Sequence, residues 1–495
     1  MKERKCGVLF PIFSLPSPYG IGCFSKEAYE FVDQLEEAGQ KYWQILPLGP
    51  TGYGDSPYQS FSTFAGNPYF IDLEALIKRG WISKEECESA NLGADGNSID
   101  YEKQYLNRFP LLKKAYENSQ IQQEKAFLDF CEENQEWLSD YALYMAVKEE
   151  VFEGKGYIEW DEDIRLRKPE AIKKYQEQLK DTIEFYCFLQ YEFESQWQQL
   201  KQYANQKGIE LIGDIPIYVA FDSADTWANQ DLFQFDADGR PTKVAGCPPD
   251  AFSADGQLWG NPLYRWDYHK KTGYAWWIQR MKACFQRYDI VRIDHFRGFD
   301  EYYAIPYGDE TARNGKWEQG PGIDLFDHLS KALGEQRIIA EDLGFLTDTV
   351  RELLKQSGYP GMKVLQFAFD SREESDYLPH NYERNSVVYT GTHDNDTIQG
   401  WYDQMTKEDQ IFAKKYMRNH PENREELSWD FILLAMRSVA NTCIIPLQDY
   451  LGIGSSGRIN TPSTLGENWK WRMEKGVLSK DLLERMREVA RITGR

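Results

Sequence analysis

The stretch VRIDHFRGF, residues 291–299, sets two opposite charges two residues apart inside an apolar run and adds His295 and Arg297 after them. In an extended chain alternate residues share a face, so Arg292 and Asp294 point one way and Val291 and Ile293 the other. A buried carboxylate beside a guanidinium must be paired and hydrogen-bonded. Such a pair is either a structural ion pair or a carboxylate held ionised for chemistry. Four further acids close or follow apolar runs: Asp214 after LIG, Glu341 after RIIA, Asp370 at the end of VLQFAF and Asp394 after VVYTGTH.

Carboxylates gathered in one place repel, so their pKa values have to be driven apart. Arg292 favours the Asp294 anion. Glu341 has no neighbouring cation in sequence and follows an apolar run, so it is the candidate for an acid that keeps its proton. One ionised and one protonated carboxyl, about 5–5.5 Å apart, make the pair of a retaining glycosidase. Asp394 then stands as a third carboxylate, to stabilise an oxocarbenium-like transition state or to grip ring hydroxyls. His393 is either a neutral-pH donor to a sugar hydroxyl or a satisfied loop histidine. THDND is rich in hard ligands, but no Glu-x-x-His or clustered histidine spacing accompanies it, so neither a metal nor another cofactor is expected.

These acids need a frame that brings strand ends together. Continuous apolar runs suit strands buried on both faces, as in a parallel sheet. They include YWQILPLGP (Tyr42–Pro50), IELIGDIPIYV (Ile209–Val219), YDIVRIDHF (Tyr288–Phe296), MKVLQFAFD (Met362–Asp370), SVVYTGTHD (Ser386–Asp394) and TCIIPLQDY (Thr442–Tyr450). Helical patterns at Ser25–Gly39, Gly322–Gly334 and Thr347–Gly358 lie between them, and this alternation reads as α/β. In a closed parallel barrel the C-terminal strand ends converge on one face, which places the acids around one pocket. Two stretches break the alternation. Residues 82–207 read as a largely helical insert, with Leu179, Ile183, Tyr186, Phe193, Trp197, Leu200 and Ala204 marking the apolar stripe of one long helix. Residues 220–285 read as a loop-rich insert able to carry a lid. The piece after Leu465 has the pattern of an amphipathic helix.

The chain has 495 residues, a formal net charge of -22 and 15% aromatic residues, with 15 Trp and 31 Tyr. Such acidity disfavours nucleic acid and anionic membranes as partners, and the aromatic excess leans towards a neutral polar ligand. Eight scattered Cys with no Cys-x-x-Cys pair point to reduced thiols in a cytoplasm rather than zinc or a disulfide framework. The opening MKERKCGVLFPIF has a short apolar run broken by Pro11. It reads as a first strand rather than a signal peptide, and no run is long enough to span a membrane.

An ordered set of motifs gives these residues a family. SPYQSFSTFAGNPYFIDL (Ser56–Leu73), GDIPIYV (Gly213–Val219), AGCPPDAFSADGQLWGNPLY (Ala245–Tyr264), RIDHFRGF (Arg292–Phe299), AEDLG (Ala340–Gly344), GTHDNDT (Gly391–Thr397) and PLQDYLGIGSSGRINTP (Pro446–Pro462) follow one another along nearly the whole chain. With them the chain resembles glycoside hydrolase family 77, the 4-α-glucanotransferases. The resemblance implies a (β/α)8 TIM barrel of the α-amylase type with inserted subdomains and no C-terminal β domain. It implies Asp294 as nucleophile, Glu341 as general acid/base and Asp394 as transition-state stabiliser. Arg292, His393, Tyr58 and Asp214 match residues that bind the sugar at the cleavage point. Asp250, Gln257 and Trp259 match a loop on the acceptor side, and Asp370 and Asn460 match further glucan contacts. The implied partners are maltooligosaccharides and α-1,4-glucans, and the implied reaction is retaining transfer to a 4-hydroxyl, with hydrolysis on the same scaffold as the alternative. The chain departs from the family pattern at Cys23, at Cys247 in the lid motif, and at Ser463, where NTPG reads NTPS.

Overall fold

A computed structural model describes residues 3–52, 54–93, 96–249, 254–344, 346–418 and 426–495. Its strands, in chain order, are β1 (Lys5–Leu9), β2 (Tyr42–Gln44), β3 (Glu210–Pro216), β4 (Lys243–Cys247), β5 (Gln257–Pro262), β6 (Ile290–Asp294), β7 (Glu301–Pro306), β8 (Lys316–Gln319), β9 (Ile338–Ala340), β10 (Gly361–Val364), β11 (Ser386–Tyr389) and β12 (Thr442–Pro446). Eight of them close into a barrel in the order β1-β12-β11-β10-β9-β6-β3-β2, every pair parallel. This is the (β/α)8 barrel that the alternation and the family motifs imply. After Pro462 the described residues hold the helix Lys480–Ile492 and no strand.

The barrel interior is polar where it matters. Arg292, Asp214 and Met362 meet inside it, and Tyr389 OH donates to Gln44 Oε1 at 2.8 Å in the same interior. Side chains from alternate strands fill such a barrel in layers, so a cation and an acid in one layer must satisfy each other there.

The helical region between β2 and β3 holds the loop that follows β2. Its long helix, Lys180–Gln206, buries Tyr186, Phe193, Trp197, Leu200 and Ala204, as the apolar stripe predicts; Leu179 sits at its N-cap and Ile183 is half-buried. From this helix Gln190 accepts from Gly66 N at 2.7 Å and donates to Gly66 O at 2.9 Å. Phe193 packs so close that a Cβ on Gly66 would come within 2.1 Å of its ring, so only glycine fits there. Asp225 accepts from Thr63 N and Thr63 Oγ1 at 2.8 and 2.9 Å. The loop carrying Tyr58 is thus pinned from two sides.

The stretch from 220 to 285 is less irregular than its Gly, Pro and Asp content suggests. β4 and β5 form a hairpin within an antiparallel sheet of order β5-β4-β7-β8. Its other two strands, β7 and β8, follow the turn after β6, so the hairpin is anchored through β7 to the segment that follows Asp294. In the opposite direction, MKVLQFAFD is strand only as far as Val364. Leu365–Phe367 form a single 3₁₀ turn, in which the Gln366 backbone N–H donates to Thr390 O at 3.3 Å and its buried side chain donates to Asp396 O at 2.6 Å.

Candidate active site

Strand register assembles the first part of the site. β3 and β6 pair so that Asp214 lies opposite Arg292 and Pro216 opposite Asp294. Arg292 Nη1 donates to both Asp214 oxygens at 2.8 and 2.7 Å, and Nη2 donates to Asp294 Oδ1 at 2.9 Å. Asp214 is fully buried, whereas the Asp294 side chain is 31% exposed at the barrel mouth. One guanidinium therefore compensates a fully buried acid and a partly exposed one. The bond to Arg292 engages Oδ1 and not Oδ2.

Glu341 follows β9, where Glu341 N donates to Ile293 O and Phe296 N donates to Glu341 O, both at 3.0 Å. These bonds bring the residue beside the end of β6. Its carboxyl accepts from Leu343 N at Oε1 (2.8 Å) and from His295 N at Oε2 (2.7 Å). Burial and then the charge of Asp294 push the Glu341 carboxyl up to about 8, against the pull of Arg292 and the two amides. Burial raises Asp294 as well, and Arg292 offsets part of that rise. Both carboxyls are thus raised, and of the two it is Asp294 that Arg292 hydrogen-bonds.

Asp394 completes the group. Asn460 Nδ2 donates to its Oδ1 at 2.6 Å, His393 Nε2 lies 3.4 Å from its Oδ2, and Arg458 Nη2 donates to its backbone carbonyl at 2.8 Å. The His393 ring stacks on Tyr58 at 5.1 Å with 18° between planes. Tyr58 OH in turn donates to Asp214 Oδ2 at 2.8 Å. Burial, and next the Asp214 charge, push the Tyr58 hydroxyl pKa well up, so it remains a donor. Tyr58, Asp214, Arg292 and Asp294 form one polar network, His393, Asp394 and Asn460 a second, and the Tyr58–His393 ring stack joins the two.

Gln257 and Trp259 share a face of β5, with Trp259 Nε1 donating to Gln257 Oε1 at 3.1 Å. The indole meets the His295 ring edge-on at 4.7 Å. Asp250 lies outside the described residues. At the base of its loop Gly256 has φ +68, and a Cβ there would come within 2.5 Å of Cys247 O, so the loop closes on a glycine. Asp370 stands apart from both networks. It lies six residues beyond β10 and pairs with Arg372 through both oxygens at 2.8 and 2.6 Å. Ser463, where the family pattern has glycine, holds φ +64, a left-handed conformation that disfavours a side chain.

Sequence reasoning passes over three residues that the fold brings in. Arg458 clamps Asp394 and Asn460, Met362 takes a bond from Arg292 Nε at 3.3 Å, and Trp469 lies 5.9 and 6.0 Å from the rings of Tyr58 and His393. Arg458 lies in the quoted motif GRINTP, two residues before Asn460, which is the one local signal for it.

Comparison with known proteins agrees with this geometry. A family model described as 4-alpha-glucanotransferase matches residues 10–479. The 4-alpha-glucanotransferase of Clostridium butyricum is 50% identical over 98% of this chain and 99% of its own. That of Thermus thermophilus is 45% identical over 99% of each chain. The solved amylomaltase from Streptococcus agalactiae in complex with acarbose superposes with a TM-score of 0.96 at 43% identity, covering 100% of both chains.

Proposed function

Because this chain belongs to glycoside hydrolase family 77, the 4-α-glucanotransferases, we propose that Asp294, Glu341 and Asp394 transfer α-1,4-glucan segments between maltooligosaccharides with retention at the anomeric carbon. The observation that carries this assignment is the unequal treatment of two interacting acids. Asp294 is held by Arg292, while the Glu341 carboxyl, pushed up to about 8, keeps its proton at neutral pH.

In the first step Asp294 Oδ2 attacks C1 while Glu341 gives its proton to the glycosidic oxygen. The C1–O bond breaks, the leaving glucan departs with a 4-hydroxyl, and a glycosyl ester remains on Asp294. In the second step Glu341, now a carboxylate, takes the proton from the 4-hydroxyl of the incoming glucan as that oxygen displaces Asp294 from C1. Asp394, with Oδ1 fixed by Asn460, supplies negative charge to the oxocarbenium-like transition state. Tyr58, Asp214, Arg292 and His393 hold the ring at the cleavage point, while Asp250, Gln257 and Trp259 receive the acceptor and Asp370 and Asn460 add contacts along the glucan. We read residues 1–495 as one catalytic barrel, with 82–207 and 220–285 as inserts and the β4–β5 hairpin as the root of a lid. An acceptor held under that lid outcompetes water by position. No helix among the described residues is long and apolar enough to cross a membrane. No disulfide joins any of the eight cysteines, which fits a cytoplasmic setting.

Incubation with maltotriose tests the reaction. The expected product is a ladder of glucans both longer and shorter than the substrate; glucose and maltose alone would mean hydrolysis and overturn transfer.

The pH dependence has a definite sign. The first step needs Glu341 protonated and Asp294 ionised. kcat/KM for the donor is therefore expected to fall as pH rises through about 8, the value to which burial and Asp294 raise Glu341. A profile flat from pH 6 to 10 would remove Glu341 from the role of acid.

A further inference from the structure

His295 follows the nucleophile and has no part in the steps above. Its backbone is left-handed, φ 56 and ψ 47, a conformation rare for a residue with a side chain and one that clusters at functional sites. This turn does two things. It swings the His295 amide onto Glu341 Oε2 at 2.7 Å. It also stands the imidazole edge-on against the Trp259 indole at 4.7 Å and 90°. The other flank of the imidazole is filled by Tyr218, whose ring lies 6.3 Å from His295 and 6.4 Å from Trp259. A Cβ on Gly298 would come within 3.1 Å of imidazole Cδ2, so the absence of a side chain there leaves room for the ring. Burial pushes the imidazole pKa down to about 3, so the ring stays neutral and packs as an aromatic spacer.

We propose that His295 is a positioning residue that ties the acceptor-side indole of Trp259 to the aim of the acid/base Glu341. The inference rests on the assignment of Glu341 in the proposed mechanism. The backbone half fixes where the carboxyl points in both steps. The ring half fixes the tilt of Trp259, and thereby where the acceptor hydroxyl arrives. Acceptor and proton-transfer group are thus referenced to one residue, itself covalently next to the nucleophile.

The two halves separate by substitution. Glycine and asparagine accept the left-handed conformation, while valine resists it. Each variant is followed by kcat/KM against pH and by the KM for glucose as acceptor. The groups facing Glu341 are Asp294 and Arg292 from β6, the amides of His295 and Leu343, and Tyr377; all but the His295 amide are unchanged in these variants. His295→Gly and His295→Asn are expected to keep the basic limb near the wild-type position while the acceptor KM rises roughly fivefold to tenfold. His295→Val is expected to lower kcat roughly tenfold or more. It should also move the basic limb upward by about one unit, because the ionised carboxyl loses a donor. His295→Ala, which meets the same backbone penalty without branching, takes the place of valine if that variant does not fold. A glycine variant that moves the limb as valine does, or a valine or alanine variant with wild-type kcat and limb, would overturn the proposal. Wild-type disproportionation and its loss in Asp294→Asn report on the mechanism independently of either outcome.

Discussion

Asp294→Asn is expected to lower transfer by at least about a thousandfold while leaving the folded state intact. The amide is isosteric with the carboxyl but cannot attack C1, so no glycosyl ester forms, and loss of a nucleophile removes most of the rate a catalytic group contributes. Stability should not follow activity. Burial raises the Asp294 carboxyl, so its ionised form is less favourable in the fold than in the unfolded chain at neutral pH. A neutral amide removes that penalty, and Arg292 keeps both bonds to Asp214. The melting temperature is therefore expected to be unchanged or higher. Near-wild-type turnover in the variant would take the nucleophile role from Asp294. A broad or much earlier melt would mean that the residue serves the barrel rather than the reaction.

How far the site can be read from the chain depends on the range of the interaction. Alternation within VRID is local, so the shared face of Arg292 and Asp294 follows from spacing alone. The rise of the Glu341 carboxyl does not, because burial and then Asp294, 47 positions away, cause it. The partner of Arg292 is not local. Asp214 lies 78 positions away, and only the register of β3 on β6 sets it opposite the guanidinium. Asp370 shows the converse. It ends an apolar run as Asp294 does, but it pairs with Arg372, two residues on, and the strand has already ended at Val364. The left-handed turn at His295 leaves only a weak mark in residue type, because histidine is enriched at φ > 0 but most histidines lie elsewhere. Arg458 reaches Asp394 across 64 positions through a backbone carbonyl, a contact to which side-chain spacing is blind. The motifs report membership of a family whose geometry supplies these long-range contacts, and the physical reason for each appears only once the barrel closes.

Arg292→Met is the substitution expected to harm both fold and function, and for separable reasons. It leaves Asp214, fully buried, with Tyr58 as its one remaining partner among the described residues, and it leaves Asp294 beside Glu341 without a cation. Removing one member of a buried ion pair costs about 3–5 kcal/mol, because the other charge stays desolvated and uncompensated. Denaturant unfolding should show a loss of that order. Activity should fall more than about a hundredfold, and its acidic limb should move upward, since Asp294 without Arg292 holds its proton to higher pH. The double variant Arg292→Met/Asp214→Asn distinguishes the two roles. Neutralising Asp214 removes the stranded charge, so most of the lost stability is expected to return, whereas Asp294 still lacks its cation and activity stays low. Recovery of activity along with stability would mean that Arg292 acts only by holding β3 to β6. Recovery of stability alone, with the single variant Asp214→Asn keeping most of its activity, would place the guanidinium in the chemistry, through the bond from Nη2 to Asp294 Oδ1.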